Sequence, residues 1–264
     1  MSLSVTILGC GSSGGVPRVG QGWGACDPGE PRNRRRRCSI LVRKSSGAGV
    51  TQVLVDTSPD LREQLLSEDV RRLDAALLTH EHADHTHGLD DLRPLSLAMR
   101  AHVDLHMDAR TSATVRRKFD YMFATPPGSG YPPFLRERRL HAGRATSVEG
   151  AGGAIDFLPF DVRHGDIDAL GLRFGGCAYT PDVSDLPPSA VAALQDLDLW
   201  IIDALRPAPH PTHFSLAEAL LWIERLKPKR AVLTNMHTDM DYGRLAASLP
   251  GAVTPAYDGL TLRL

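Results

Sequence analysis

Short apolar or alternating runs, bounded by Gly, Pro, Asp and Ser, recur along the 264 residues. SVTIL (4–8), SILVRK (39–44), TQVLVDT (51–57), LDAALLT (73–79), VDLHM (103–107), AIDFLPFDV (154–162), LGLRFGGCAYT (170–180), LDLWIID (197–203), RAVLTNM (230–236) and GLTLRL (259–264) each predict a strand. Between them, apolar positions recurring every three to four residues predict helices over 60–70, 108–123 and 215–226. Asp60 is the N-cap of the first, and Ser215 with Glu218 is a capping-box signature for the last. Strands interleaved with helices along the whole length predict one α/β domain over residues 1–264, with helices covering the outer faces of sheet. Two Gly- and Pro-rich stretches, 9–38 and 125–139, interrupt the pattern as long loops. Neither has a self-sufficient flank, so neither is read as a domain boundary.

Composition changes this picture little. The hydrophobic fraction of 42% and charged fraction of 23% are those of a soluble globular protein. A formal net charge of −1 gives no global attraction to nucleic acid or an anionic membrane. No apolar run approaches the ~20 residues that span a bilayer, and MSLSVTILGCGSSGG lacks the basic start of a signal peptide. Cys10, Cys26, Cys38 and Cys177 form no CxxC pair, which argues against a disulfide framework or zinc ribbon. A reduced cytoplasmic protein is the expectation.

The chemistry concentrates in THEHADHTHG (79–88), directly behind the apolar strand LDAALLT. In open α/β sheets, ligands gather just past the carboxyl ends of strands. Imidazole suits zinc and its first-row neighbours, and carboxylate adds a hard anionic donor. His80 and His82 can turn inward from one tight loop, with Asp84 and His85 on the next bend, enough for two donors to each of two ions. A solvated His-rich turn is the plainer reading of any one of these residues, but not of HxHxDH behind a buried strand. Three further strand-to-loop junctions close on His164, Asp182 and His237.

This series resembles the motifs of the metallo-β-lactamase superfamily: THxHxDH behind a strand, a third His, a lone Asp and a last His. LGCGSSGGVPR, CSILV, VLVDTSPDL and YDGLTL are similar to the branch containing phosphoribosyl 1,2-cyclic phosphate phosphodiesterase. The tRNA 3′-processing endonuclease is a more distant relative. The resemblance implies a four-layered αββα sandwich with two divalent metal ions, zinc or manganese, at one edge of the sheets. It implies His80, His82 and His164 on one ion, Asp84, His85 and His237 on the other, and Asp182 bridging both. Asp56 matches the family's structural aspartate and Asp203 is a weaker supporting candidate, whereas Glu81, His87 and His210 match no position. Glu81 is expected to face away, and His87 to sit on the first turn of the following helix.

Five neutral imidazoles and two carboxylates around two dications leave a surplus of about two positive charges, or one with a bridging hydroxide, which favours an anionic substrate. The expected reaction is hydrolysis of a small cyclic phosphate or nucleotide-like phosphodiester by that hydroxide, with Asp84 in the catalytic group. His213 matches a histidine beside the metals in phosphodiesterase relatives and is read as general acid; its plainer role is to line the helix start. Ser12 and Ser13, in GCGSSGG, and Arg34 and Arg37, in the RRRR run, are candidate phosphate-binding residues, although a bare Gly-rich loop is a weak signal and a charge run is more often a solvated face. The aromatic stretch 121–134 is expected to be a lid.

The stretch GQGWGACDPGE departs from relatives that carry three close cysteines around a structural zinc: Cys26 remains, while positions 22 and 24 are Gly. Competing readings are an RNA-processing nuclease, for which RERR (136–139) is a thin basic arm, and a glyoxalase-type thioester hydrolase, which His213 fits poorly. A non-enzymatic accessory protein of cofactor biosynthesis is the third. A small phosphodiester partner, no membrane, no stable nucleic-acid complex and an open question of homodimerisation complete the expectation.

Overall fold

Period-two alternation sorts the first strands onto two faces. In the computed structural model, which describes residues 2–264, β1 (Ser2–Gly9), β2 (Ser39–Ser46), β3 (Gly49–Val55) and β4 (Ala75–Leu77) form one sheet with β5 (Val103–Met107) and β6 (Leu135–Arg139). Ile7, Ile40, Val42, Val55 and Leu77 belong to one buried cluster, and Leu8, Leu41, Leu54 and Ala76 to another. The second sheet comprises β7 (Thr146–Val148), β8 (Ile155–His164), β9 (Ile167–Phe174), β10 (Cys177–Thr180), β11 (Leu199–Asp203), β12 (Ala231–Thr234) and β13 (Val253–Pro255). β14 (Thr261–Arg263) returns to pair with β1.

Helices α1 (Leu61–Ser67), α2 (Ala83–Thr86), α3 (Arg93–Met99) and α4 (Ala109–Phe119) follow strands of the first sheet. Leu61 and Leu65 of α1, Leu95 of α3 and Val115 of α4 pack with Leu8, Leu41 and Leu54. Helices α5 (Pro188–Ala193), α6 (Leu216–Leu226) and α7 (Tyr242–Ser248) belong to the second sheet. Its larger cluster joins Ile7, Val42 and Val55 to Phe157, Leu172 and Tyr179, then continues to Ala190, Ala219 and Ile223. The order helix, sheet, sheet, helix is the four-layered sandwich expected. No helix among the described residues is long and apolar enough to cross a membrane.

Several elements differ from their sequence patterns. The run 170–180 is two antiparallel strands, because Gly175, at φ +57°, turns the chain between Phe174 and Cys177. Residues 135–139, expected within a loop, form edge strand β6 parallel to β5. Charge concealed it: Leu135 is buried, while Arg136 and Arg138 both pair with Asp104 on the neighbouring strand. The 108–123 helix ends at Phe119 and tightens into a 3₁₀ turn over Asp120–Met122. His87 is the C-cap of α2 rather than a first-turn residue.

Both sheets turn from antiparallel to parallel pairing, at β3 and at β10. The parallel strands β3, β4, β10, β11 and β12 then deliver Asp56, the 79–85 loop, Asp182, Asp203 and His237 from their carboxyl ends.

Candidate metal centre

Asp56 anchors the centre from the end of β3. It is fully buried at φ +63°, a left-handed conformation that Asp tolerates at a cost of order 1 kcal/mol or more. Its Oδ1 accepts from the Thr79 amide at 2.8 Å and from Thr79 Oγ1 at 3.0 Å, which fixes the loop behind β4. Its Oδ2 lies 2.8 Å from His85 Nδ1. With Nδ1–H donated to Asp56, the lone pair of His85 is at Nε2.

The same device repeats. His80 Nδ1 is 3.0 Å from Thr79 Oγ1, and His164 Nδ1 donates to the Thr212 carbonyl at 2.7 Å. His164 Nε2 and His82 Nδ1 then face each other at 3.1 Å. Asp182, behind β10, lies at the middle: its Oδ2 is 3.4 Å from His164 Nε2 and 3.7 Å from His80 Nε2, while Oδ1 is 3.2 Å from His85 Nε2. Asp84, in the first turn of α2, places Oδ2 3.5 Å from the same His85 nitrogen.

Two donor groups result. His80, His82, His164 and Asp182 form one, and Asp84, His85 and Asp182 the other, each with donor atoms within 4.8 Å of one another. The donor chemistry fits divalent cations. His80 Nε2 and His85 Nε2 are buried without a hydrogen-bond partner, which is costly unless something else satisfies them. Burial holds the His80 and His164 imidazoles below their ordinary pKa, keeping them neutral as ligation requires. Burial also opposes the charged form of His85, but Asp182, Asp56 and Asp84 outweigh it and push its pKa well up. Three carboxylates around one buried imidazole is a site short of positive charge.

His237 lies outside both groups. Its Nε2 is 2.6 Å from Arg18 Nη1, and its Nδ1 is 3.4 Å from Asp239 Oδ2. It shares a cavity of about 130 Å³ with Arg18, Asp84, Arg206 and His213. A neighbouring cavity of about 330 Å³ is lined by His82, Asp84, His164, Asp182 and His213. His213 therefore borders both. Its Nδ1 is 2.8 Å from Oδ2 of Asp203, the last residue of β11, and Asp203 also accepts from the Val183 amide and Asn235 Nδ2. Burial disfavours the imidazolium, yet Asp203 overrides it and raises the His213 pKa.

The expected phosphate-binding residues divide. Ser12 and Ser13 line the smaller cavity, and Ser12 Oγ is buried without a partner. Their loop is pinned rather than free: Gly11 N donates to Arg36 O and Ser12 N to Met236 O. Arg34 and Arg37 line neither cavity, a correction to the sequence reading. Arg34 is exposed, and Arg37 is paired with Asp60 at 2.9 Å. Arg18 and Arg206 occupy that wall instead. Both were missed because each is a single arginine in a Gly- or Pro-rich loop. Asn235, buried at φ +60° just behind β12, was missed too.

Glu81 is bound to Arg110 at 2.9 Å, and His87 packs edge-on against Phe119. Cys26 is buried, donating to Thr238 O, and belongs to neither donor group. A Cβ at Gly24 would lie 2.6 Å from the Thr238 side chain, so that position does not take a thiol without rearrangement. Residues 121–134, expected as a lid, line neither cavity at the donor groups.

Residues 51–236 match the model of the beta-lactamase superfamily domain. The chain is 30% identical over 257 residues to an octanoyltransferase of Porphyromonas gingivalis, covering 96% of this chain and 50% of that protein. It is 33% identical over 170 residues to a ribonuclease Z of a Bradyrhizobium species, covering 62% and 51%. The chain thus spans about half the length of the curated relatives it matches. Among solved structures, a diphosphatase from the PhnP family superposes with a TM-score of 0.88 at 36% identity, over 99% of this chain and 98% of the other. Zinc-bound PqqB from Methylobacterium extorquens shares the fold at 20% identity, with a TM-score of 0.75 over 99% and 100% of the two chains.

Proposed function

The chain belongs to the metallo-β-lactamase superfamily, and on that premise we propose that residues 1–264 form one metal-dependent hydrolase domain that cleaves a small phosphodiester. The observation that carries the reading is the pair of donor groups meeting at Asp182, with His213 bordering both adjoining cavities. The PhnP-family diphosphatase and the ribonuclease Z relatives support phosphoester chemistry.

In this proposal His80, His82, His164 and Asp182 hold one ion, and Asp84, His85 and Asp182 the other, with His237 as its further donor. Zinc or manganese bound there would polarise the phosphoryl group and lower the pKa of water to about 7. The chain's own residues do the rest. Asp56 and the Thr212 carbonyl orient His85 and His164. Asp203 holds His213 by Nδ1, leaving Nε2 to give a proton to the departing oxygen. Ser13, Arg18 and Arg206 offer donors to the phosphoryl oxygens.

An RNA-processing nuclease is the less favoured reading. The arginines of β6, its candidate basic arm, are engaged with Asp104 and Glu137. The test is turnover of bis-p-nitrophenyl phosphate and 2′,3′-cyclic nucleotides in Mn²⁺ or Zn²⁺. His213→Ala is expected to lower kcat on the cyclic nucleotides by about 10²–10⁴. Wild-type turnover in that variant would remove the general acid from the account.

A further inference from the structure

We propose that the cavity under the 121–134 loop is a second ligand site, built for a flat aromatic anion of nucleoside monophosphate size. It is independent of the metal centre. Its volume is about 730 Å³, within the ~300–1,000 Å³ usual for small-molecule sites, and it shares no residue with either cavity at the donor groups. One wall is α3 and the segment that follows it; the other is the 3₁₀ turn and the Pro-rich loop.

Charge selects the ligand. Every charged or titratable side chain on the lining, save the two tyrosines, is basic: Arg93, Arg100 and His102, with no carboxylate among them. Arg93 gives Nη2 to Asp90 at 2.8 Å, but its Nε is buried without a partner. Arg100 takes the left-handed cap of α3 at φ +51°, where Gly is usual. Its side chain is exposed at the cavity and pairs with no carboxylate among the described residues. An anion at Arg100 supplies that partner.

Shape selects a flat body. The Arg93 guanidinium lies over the Phe134 ring at 4.9 Å and the Tyr121 ring at 5.8 Å, so flat groups already stack along this wall. Tyr131 and Leu97 are 76% and 65% exposed, apolar surface that a stacked ring would cover. Pro126, Pro132 and Pro133 stiffen the wall, which lowers the ordering cost of binding. A bare phosphate satisfies the cations but not the walls; a medium-chain carboxylate satisfies the cations without stacking.

The test is calorimetric titration of the full metal-loaded protein with AMP, adenosine, inorganic phosphate and octanoate. AMP is expected to bind at least about tenfold more tightly than the other three. Arg100→Gln and Tyr131→Ala, both at exposed positions, are each expected to weaken AMP about tenfold or more while metal content per chain stays at the wild-type value. AMP affinity unmoved by both substitutions would overturn the proposal, as would no measurable AMP binding at millimolar concentration. Octanoate or inorganic phosphate binding as tightly as AMP would overturn the assignment to an aromatic anion.

Discussion

At the residue scale, the proposed metal centre depends on which ring nitrogen of each histidine is already taken. Asp56 takes Nδ1 of His85, the Thr212 carbonyl takes that of His164, and Thr79 Oγ1 faces that of His80. Each leaves Nε2 for a ligand. His237 is arranged the other way, with Arg18 on its Nε2 at 2.6 Å. One lone pair cannot serve a guanidinium and a metal ion together, so a second ion that uses His237 must displace Arg18. Arg18→Gln should therefore tighten the weaker of two metal-binding steps, by about tenfold if the displaced contact is an ordinary charge-assisted hydrogen bond. Titration against a competing chelator reads this directly, and an unchanged second step would mean that His237 does not join the site. The histidine run stands out in the sequence because imidazoles and carboxylates crowded behind an apolar strand suit ligation, and the structure brings His80, His82 and Asp84, His85 into two donor groups. Arg18, Arg206 and Asn235 were not legible, because each gains meaning only from what lies opposite it in space.

At the element scale, apolar periodicity located most of the strands that carry the site, and Ser215 with Glu218 marked the start of α6 correctly. Both arms of that capping box form, with Ser215 Oγ accepting from the Glu218 amide and Glu218 accepting from the Ser215 amide. Ser215→Ala should cost about 1 kcal/mol of stability, read from denaturant midpoints at constant slope. A loss well below 0.5 kcal/mol would show that packing of Phe214 and Ala219 alone holds the helix start. Elements whose signal is not apolar were missed. β6 reads as charge because its exposed positions pair with Asp104, and α3, α5 and α7 are too short for periodicity to reveal. The single strand expected over 170–180 was two, since an apolar run does not reveal the turn at Gly175-Gly176.

At the scale of the whole molecule, two sheets back to back leave one edge where strand ends from both converge, and this part of the architecture followed from the motif series. Burial elsewhere predicts an acid-sensitive fold. His106 on β5 is 8% exposed, and burial with Arg138 nearby, against the opposing pull of Asp104, lowers its pKa to about 4. Its unfolded value is about 6.5, so between these values the unfolded chain binds the proton and the folded chain does not. This contribution to stability is complete above about pH 6.5 and is lost as pH falls toward 4, by roughly 3 kcal/mol. Unfolding free energies of wild type and His106→Gln should diverge in slope across that window; parallel curves would place the acid sensitivity elsewhere.

In the proposed function Asp182 joins two metal sites that serve phosphodiester hydrolysis. The most direct measurement is turnover of bis-p-nitrophenyl phosphate by protein stripped with chelator and reloaded stepwise with Mn²⁺ or Zn²⁺, with bound metal counted at each step. Stripped protein should show no turnover, and activity should rise to a plateau at about two ions per chain. Turnover that persists after complete stripping, or a fully loaded protein that cleaves no phosphodiester, would contradict this function.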